Sequence, residues 1–333
     1  MSKPLPRLVD MPYHVKNNII EKADLNTRFI LRKVNRNLRA LVDQSPIVYE
    51  RLEVTFRENM IDILCLGTST SIDLQYVNVL SGCLVRNSIA NYLKGDCYVE
   101  RAIKDLAVIL RSSKTKVIAF TIWIWGNITL EDKAKALNWL KEELCFEKLG
   151  HKLQIKVVST DDDSHAEFLM TFMDNVDSNH VTKFLIPYYK EHERWNRVFE
   201  SEQWVNAKEV EFCCLEEEPI QFDFLRRVCG FEKVLLTGFH LDLRTFKAFI
   251  EEILTNGQQI VRFRMEHITF PKAEFFEYLN EFKNHPEDPT MKVIQKPNTN
   301  LSFWLKFLFS NTMIDIYKEG SKVPKDGREL WVF

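Results

Sequence analysis

Apolar positions recur every three to four residues through the first part of the chain. Val15, Ile19 and Ile20 fall on one helical face. Asp10 is placed to cap that helix, with Pro12 at its second position, where a missing N–H costs nothing. Asp24-Leu25-Asn26 interrupts the pattern and supplies a new cap. In the stretch 28–42 that follows, Leu31, Val34, Leu38 and Leu41 keep the helical repeat, while Arg32, Arg36 and Arg39 take the solvent side. A few short helices totalling about forty residues bury too little surface to stand alone, so this piece is expected to need a partner.

The next stretch, 51–115, reads as a linking region of mixed structure. Leu52-Glu53-Val54-Thr55-Phe56 alternates like a strand, 61–66 forms a second, and 100–110 looks helical. From Lys116 onward the pattern becomes regular. Short β-rich runs are expected at 116–122, 153–158, 183–186, 208–213, 233–236, 260–265 and 291–294. Amphipathic helices are expected at 130–144, 164–175, 244–254 and 272–282. From Leu153 on, the runs start roughly 25 to 31 residues apart, a βα period in the leucine-rich-repeat range. Two neighbouring units superimpose. Val234-Leu235-Leu236, Leu241 and then Phe246, Phe249 and Ile253 answer to Val261-Arg262-Phe263, Ile268 and then Phe275, Phe276 and Leu279. The consensus Asn of a leucine-rich repeat is missing, so 116–320 is read as a leucine-rich-repeat-like array of βα units. Such an array exposes a long strand face suited to binding another protein. A closed doubly wound sheet has similar spacing, but no Gly-rich turn follows a strand to support a nucleotide site.

Trp123 and Trp125 stand two apart and so share one side of a strand. The run around them is apolar on both faces, as for a buried strand between helices. The competing reading makes them anchors for a bound target.

Composition narrows the function classes. The 333 residues suffice for two units, with 24 Phe to bury and only 10 Gly. Forty-five basic and 47 acidic residues give a net charge of −2, so neither nucleic acid nor an anionic membrane is expected as a partner. The longest apolar run, 117–125, is about half of what a membrane-spanning helix needs, and nothing resembles a secretory signal. Seven scattered cysteines, most in apolar contexts, suggest reduced, buried thiols and a cytoplasmic or nuclear location. The eight histidines form no metal-ligand spacing and no Cys-x-x-Cys exists, so no metal or cofactor is expected. Asp161-Asp162-Asp163, before a helix opened by Ser164, and Glu216-Glu217-Glu218 both read as solvated turns. No nucleophile elbow or phosphate loop is present, so no catalytic residues are expected and the chain is not read as an enzyme.

The N-terminal residues also carry a resemblance. Met11-Pro12, Val15 and Ile19-Ile20, followed by Leu31-Arg32-Lys33-Val34-Asn35-Arg36-Asn37-Leu38-Arg39, resemble the two halves of an F-box. The wording of the second half is similar to the nematode F-box A family, whose members pair the F-box with a C-terminal FTH domain. Glu202-Gln203-Trp204-Val205-Asn206-Ala207-Lys208 resembles the Gln-Trp…Ala-Lys element of that domain, and Phe303-Trp304-Leu305 with Met313-Ile314-Asp315-Ile316-Tyr317 also fits. The resemblance implies an F-box over 4–50 that binds a Skp1-related adaptor, and through it a cullin–RING ligase. Its adaptor-facing residues would be Met11, Pro12, Val15, Ile19, Ile20, Leu31 and Val34. The FTH-like domain over 116–320 would present a target protein for ubiquitin transfer, and the resemblance does not identify that target. His14, Lys16 and Leu38 depart from the general F-box pattern. Three alternatives remain: a small helical core with no such role, a ligase-independent interaction scaffold with a drifted F-box, and an enzyme whose site is assembled from distant residues in a closed polar pocket.

Overall fold

The computed structural model describes residues 7–67, 71–87, 90–125, 128–160, 166–187, 195–214, 219–288, 291–295, 302–308 and 313–320. The chain divides into two compact units, Met1–Thr182 with Glu193–Asn206 and Lys183–His192 with Ala207–Phe333.

Unit 1 opens with a 3-10 turn at Leu8–Asp10 and helices α1 (Tyr13–Lys22), α2 (Leu25–Val34) and α3 (Arg36–Gln44). Strands β1 (Val48–Arg57), β2 (Met60–Leu66), β3 (Ser71–Val79), β4 (Gly82–Arg86) and β5 (Ala90–Lys94) follow as an antiparallel meander. The stretch 51–115 thus combines these strands with helix α4 (Tyr98–Leu110). Strands β6 (Lys116–Trp125) and β7 (Gln154–Thr160) extend the sheet on the other side of β1, in parallel. Helices α5 (Leu130–Glu143), α6 (Phe146–Leu149), α7 (Ala166–Met173), α8 (Asn196–Phe199) and α9 (Glu202–Asn206) complete the unit. Helix α5 starts where Thr129 accepts a 3.0 Å bond from the Asp132 N–H.

One face of this sheet carries the core. Ile61, Ile63, Cys65 and Tyr76 are buried there against α4, and the Tyr76 hydroxyl donates to Asp105 at 2.9 Å. Phe120 stacks on Phe172 and Phe56 meets Phe168 edge-on, with ring centroids 3.8 and 5.4 Å apart. The opposite face is more open. Strand β6 is thus not buried on both sides: Ile122 and Ile124 are core, whereas Trp125 is 52% exposed. Alternation along the strand puts the two tryptophans on the open face.

Unit 2 holds β8 (Lys183–Pro187), β9 (Glu209–Cys213), α10 (Phe222–Val228), β10 (Lys233–Thr237), α11 (Leu243–Asn256), β11 (Arg262–Glu266) and α12 (Lys272–Leu279). Strands β12 (Lys283–Asn284), β13 (Met291–Gln295), β14 (Ser302–Leu308) and β15 (Met313–Lys318) follow. Strands β8 to β11 run parallel in chain order. Beyond them β15, β14, β13 and β12 add antiparallel strands. The βα spacing legible in the sequence corresponds to the parallel run. Its register differs from the superposition: Val234 stands opposite Phe263, so the repeat runs two residues longer than the Val234/Val261 match. Leu241 and Ile268 are both fully buried, but Phe276 is half exposed.

The core of unit 2 is aromatic, with Phe212, Phe239, Phe246, Phe249, Phe263 and Phe275 essentially inaccessible. On the other side of β11 and β15, Arg262 and Arg264 share the buried carboxylate of Asp315 at 3.1 and 2.6 Å. The Tyr317 hydroxyl also donates to it. Burial, with the Asp315 charge beside it, pushes the Tyr317 phenol up to about 12. All seven cysteines are free, but Cys213 at the end of β9 is exposed, contrary to the expected buried state.

Candidate partner-binding surface on the N-terminal helices

Local sequence sets each helix of the N-terminal segment. Helix α1 begins at Tyr13 with Pro12 as its N-cap, and the Pro12 carbonyl accepts from Val15 and Lys16. Asp10 therefore does not cap it; it lies in the 3-10 turn, where its carboxylate pairs with Arg7 at 2.8 Å. Asp24 does cap α2, accepting from the Thr27 N–H at 2.7 Å. The apparently continuous stretch 28–42 is two helices. Asn35 adopts an extended backbone (φ −160°, ψ 168°), and its side chain accepts from the Leu38 N–H at 2.8 Å, capping α3. This break resets the helical phase, which is why Val34 and Leu38 do not share one buried face.

The helices close on a small core of Ile20, Leu38, Leu41 and Val42, with Leu8, Val9 and Leu31 packed against it. Arg28 holds the arrangement together. Its guanidinium is buried and donates to the carbonyls of Ala23 (3.0 Å), Glu21 (2.8 Å) and Pro46 (2.8 Å). One side chain thereby ties the end of α1 to the segment leaving α3. Burial lowers the Arg28 pKa from its ordinary value, opposed by the charge of Glu21. Arg32, expected in solvent, instead forms a forked pair with Asp43 of α3 at 2.6 and 3.3 Å.

The seven residues implicated by sequence separate into two groups. Pro12, Ile19 and Val34 are exposed, the last two at 39% and 59%. Met11, Val15 and Leu31 are half-buried, and Ile20 is fully buried in the helical core. The sequence reading missed Tyr13 and Ile30, each 63% exposed. Ile30 was recoverable, because it lies four residues before Val34 and so shares its face of α2. Leu38 is core, and His14 is exposed. These apolar side chains stay exposed although the helices already have a packed core of their own.

Among the described residues, no group of three or more His, Cys, Asp or Glu could hold a metal, and no helix is long and apolar enough to cross a membrane. Asp161 to Ser164 and Glu216 to Glu218 lie outside the described residues. Gln203 is buried and donates to the carbonyls of Met173 and Val176, both at 2.9 Å, while Trp204 packs on Phe199. Both side chains are occupied in the packing of unit 1.

Comparison with known families places the F-box domain on residues 8–49, taking in the three helices and the start of β1. No curated protein matches the chain. F-box domains generally bind Skp1 within SCF complexes, so the match suggests an SCF-type substrate-adaptor role in general terms. The exposed apolar residues of α1 and α2 thus belong to an F-box domain.

Proposed function

We propose that this protein is a non-enzymatic substrate-recognition adaptor of an SCF-type ubiquitin ligase. The observation that carries the reading is the exposure of Pro12, Ile19, Ile30 and Val34 on the F-box helices, while Ile20, Leu38, Leu41 and Val42 are spent on the internal core. The exposed set docks a Skp1-related adaptor, and through it a cullin–RING ligase. Ile20 serves as scaffold beneath it. The functional division is a docking module over 4–50, a connecting part over 51–115 and a target-presenting part over 116–320. The βα run of unit 2 is read as leucine-rich-repeat-like and FTH-like, and the chain as similar to the nematode F-box A family. Support for the repeat-like reading comes from the parallel β8–β11 order, and for the family likeness from the sequence of the Gln203-Trp204 element, which itself lies in unit 1. Work with a target takes place in the cytoplasm or nucleus.

Co-expression of the full chain with a Skp1-related protein tests the proposal. Joint purification is expected, and it is lost in Ile19→Asp/Val34→Asp. Failure of the wild-type chain to co-purify with any Skp1 relative would instead favour a ligase-independent scaffold.

A further inference from the structure

Unit 1 carries a second apolar surface, on the open face of its sheet. Strand register aligns Trp125, Arg57, Met60, Val77, Leu84 and Tyr92 in one row across β6, β1, β2, β3, β4 and β5. The row lies opposite the face that α4 covers. Its ends are half exposed, Trp125 at 52% and Tyr92 at 50%, and the four residues between them are partly exposed. The aromatic ends are held in place. The Arg57 guanidinium sits 4.9 Å from the Trp125 ring centre while its Nε lies 3.2 Å from Asp62. Trp123 meets Trp125 edge-on, and the Tyr92 hydroxyl is hydrogen-bonded to Ser81. Rigid aromatic side chains lose little conformational freedom on binding.

We infer that this row is a docking strip for an extended peptide segment of about seven residues, apolar with at least one acidic side chain. On the adaptor reading, that segment belongs to the target protein, and the target-presenting surface then extends from 116–320 into the part over 51–115. Three observations favour this occupant. Five strand spacings of about 4.8 Å give a strip of about 24 Å, the length of about seven extended residues. Six partly exposed side chains offer a few hundred Å², well below the roughly 800 Å² per partner of a stable dimer interface, so a second copy of the chain fits poorly. The charges beside the strip are also uneven. Asp62 is engaged by Arg57, and Asp73 lies farther along β3. Exposed Arg86 stands two positions past Leu84 and exposed Lys94 two past Tyr92, on the same face. The β4–β5 end therefore presents cations to an acidic residue of the ligand.

The probe is a displayed random heptapeptide library selected on the full chain, with the enriched peptides then titrated by fluorescence polarisation. Enriched sequences should combine apolar and acidic residues. Trp125→Ala and Leu84→Asp should each weaken them at least tenfold, and the change Arg86→Glu, at an exposed position, should do so for acidic peptides. Capture of a Skp1-related protein should be unaffected by all three. No enrichment, or peptides that bind wild type and variants alike, would overturn the strip; so would a chain that dimerises in sedimentation and loses the dimer with Trp125→Ala. Peptide binding without Skp1 capture would remove the ligase reading while leaving the strip in place.

Discussion

Arg28 joins three backbone carbonyls from two parts of the F-box domain, at 2.8 to 3.0 Å, with its side chain buried. Replacing it by Met keeps the length and removes all three bonds. Hydrogen bonds to a charged group contribute about 1.5–3 kcal/mol each, and three would suggest well over 4 kcal/mol. Two corrections reduce that. Glu21 and Ala23 are not buried, so water can replace the guanidinium at their carbonyls, and desolvation of the charge is relieved. A net loss of about 2–4 kcal/mol remains, felt locally. Hydrogen exchange of amides in α1 and α3 is the suitable assay, because it reads local opening separately from the rest of the chain. Exchange should accelerate by about 30- to 900-fold. Arg28→Lys, which reaches fewer carbonyls, should fall between. Exchange within about threefold of wild type for Arg28→Met would refute the clamp.

Asp315→Ala leaves two buried guanidiniums without their shared carboxylate, and should destabilise unit 2 by about 3–5 kcal/mol in urea denaturation. Stability should also fall on the alkaline side. Tyr317 and Tyr278 are pushed from 10.0 up to about 12, and Cys65 and Cys229 from 9.0 up to about 12, mainly by burial. Between the unfolded and folded values the native chain binds more protons, so this stabilisation is full below the unfolded pKa and is lost as pH rises through the folded one. Denaturation midpoints should drop between about pH 9 and pH 12, with a shallower slope above pH 10 in Tyr317→Phe.

Much of the architecture was legible because it rests on local signals. Helices α5 and α11 are long, periodic and capped by Thr129 and Asp242, and β8 to β11 are short β-rich runs that alternate with helical stretches. The errors came where one residue changes the phase or a distant residue changes the environment. Asn35 breaks the repeat of Leu31, Val34, Leu38 and Leu41, and so leaves Val34 at the surface. The meander was weakly read, although Ile72, Leu74 and Tyr76 alternate with Asp73 and Gln75 as a half-buried strand should. The open face of β6 could not be seen, since hydrophobicity alone does not say which side a helix will cover. The Arg262–Arg264–Asp315 cluster joins strands far apart in sequence, and no local pattern announces it. At the candidate site, the opposite pressures on Ile19 and Ile20 were invisible, because adjacent apolar residues at a helix edge divide between core and surface only once the other helices are placed.

The central claim is that the exposed apolar residues of α1 and α2 bind a Skp1-related protein. Isothermal titration of the purified full chain with a purified Skp1-related protein tests it most directly. Each of Ile19 and Val34 contributes about 1.5–2 kcal/mol if its apolar side chain is fully covered, so each change to Asp should weaken binding at least tenfold, without altering exchange of the α1 and α3 amides. Saturable binding by the wild type that Ile19→Asp and Val34→Asp each weaken to this extent is the predicted result. Absence of heat for every Skp1-related protein tried, or unchanged affinity in the double variant, would contradict the account.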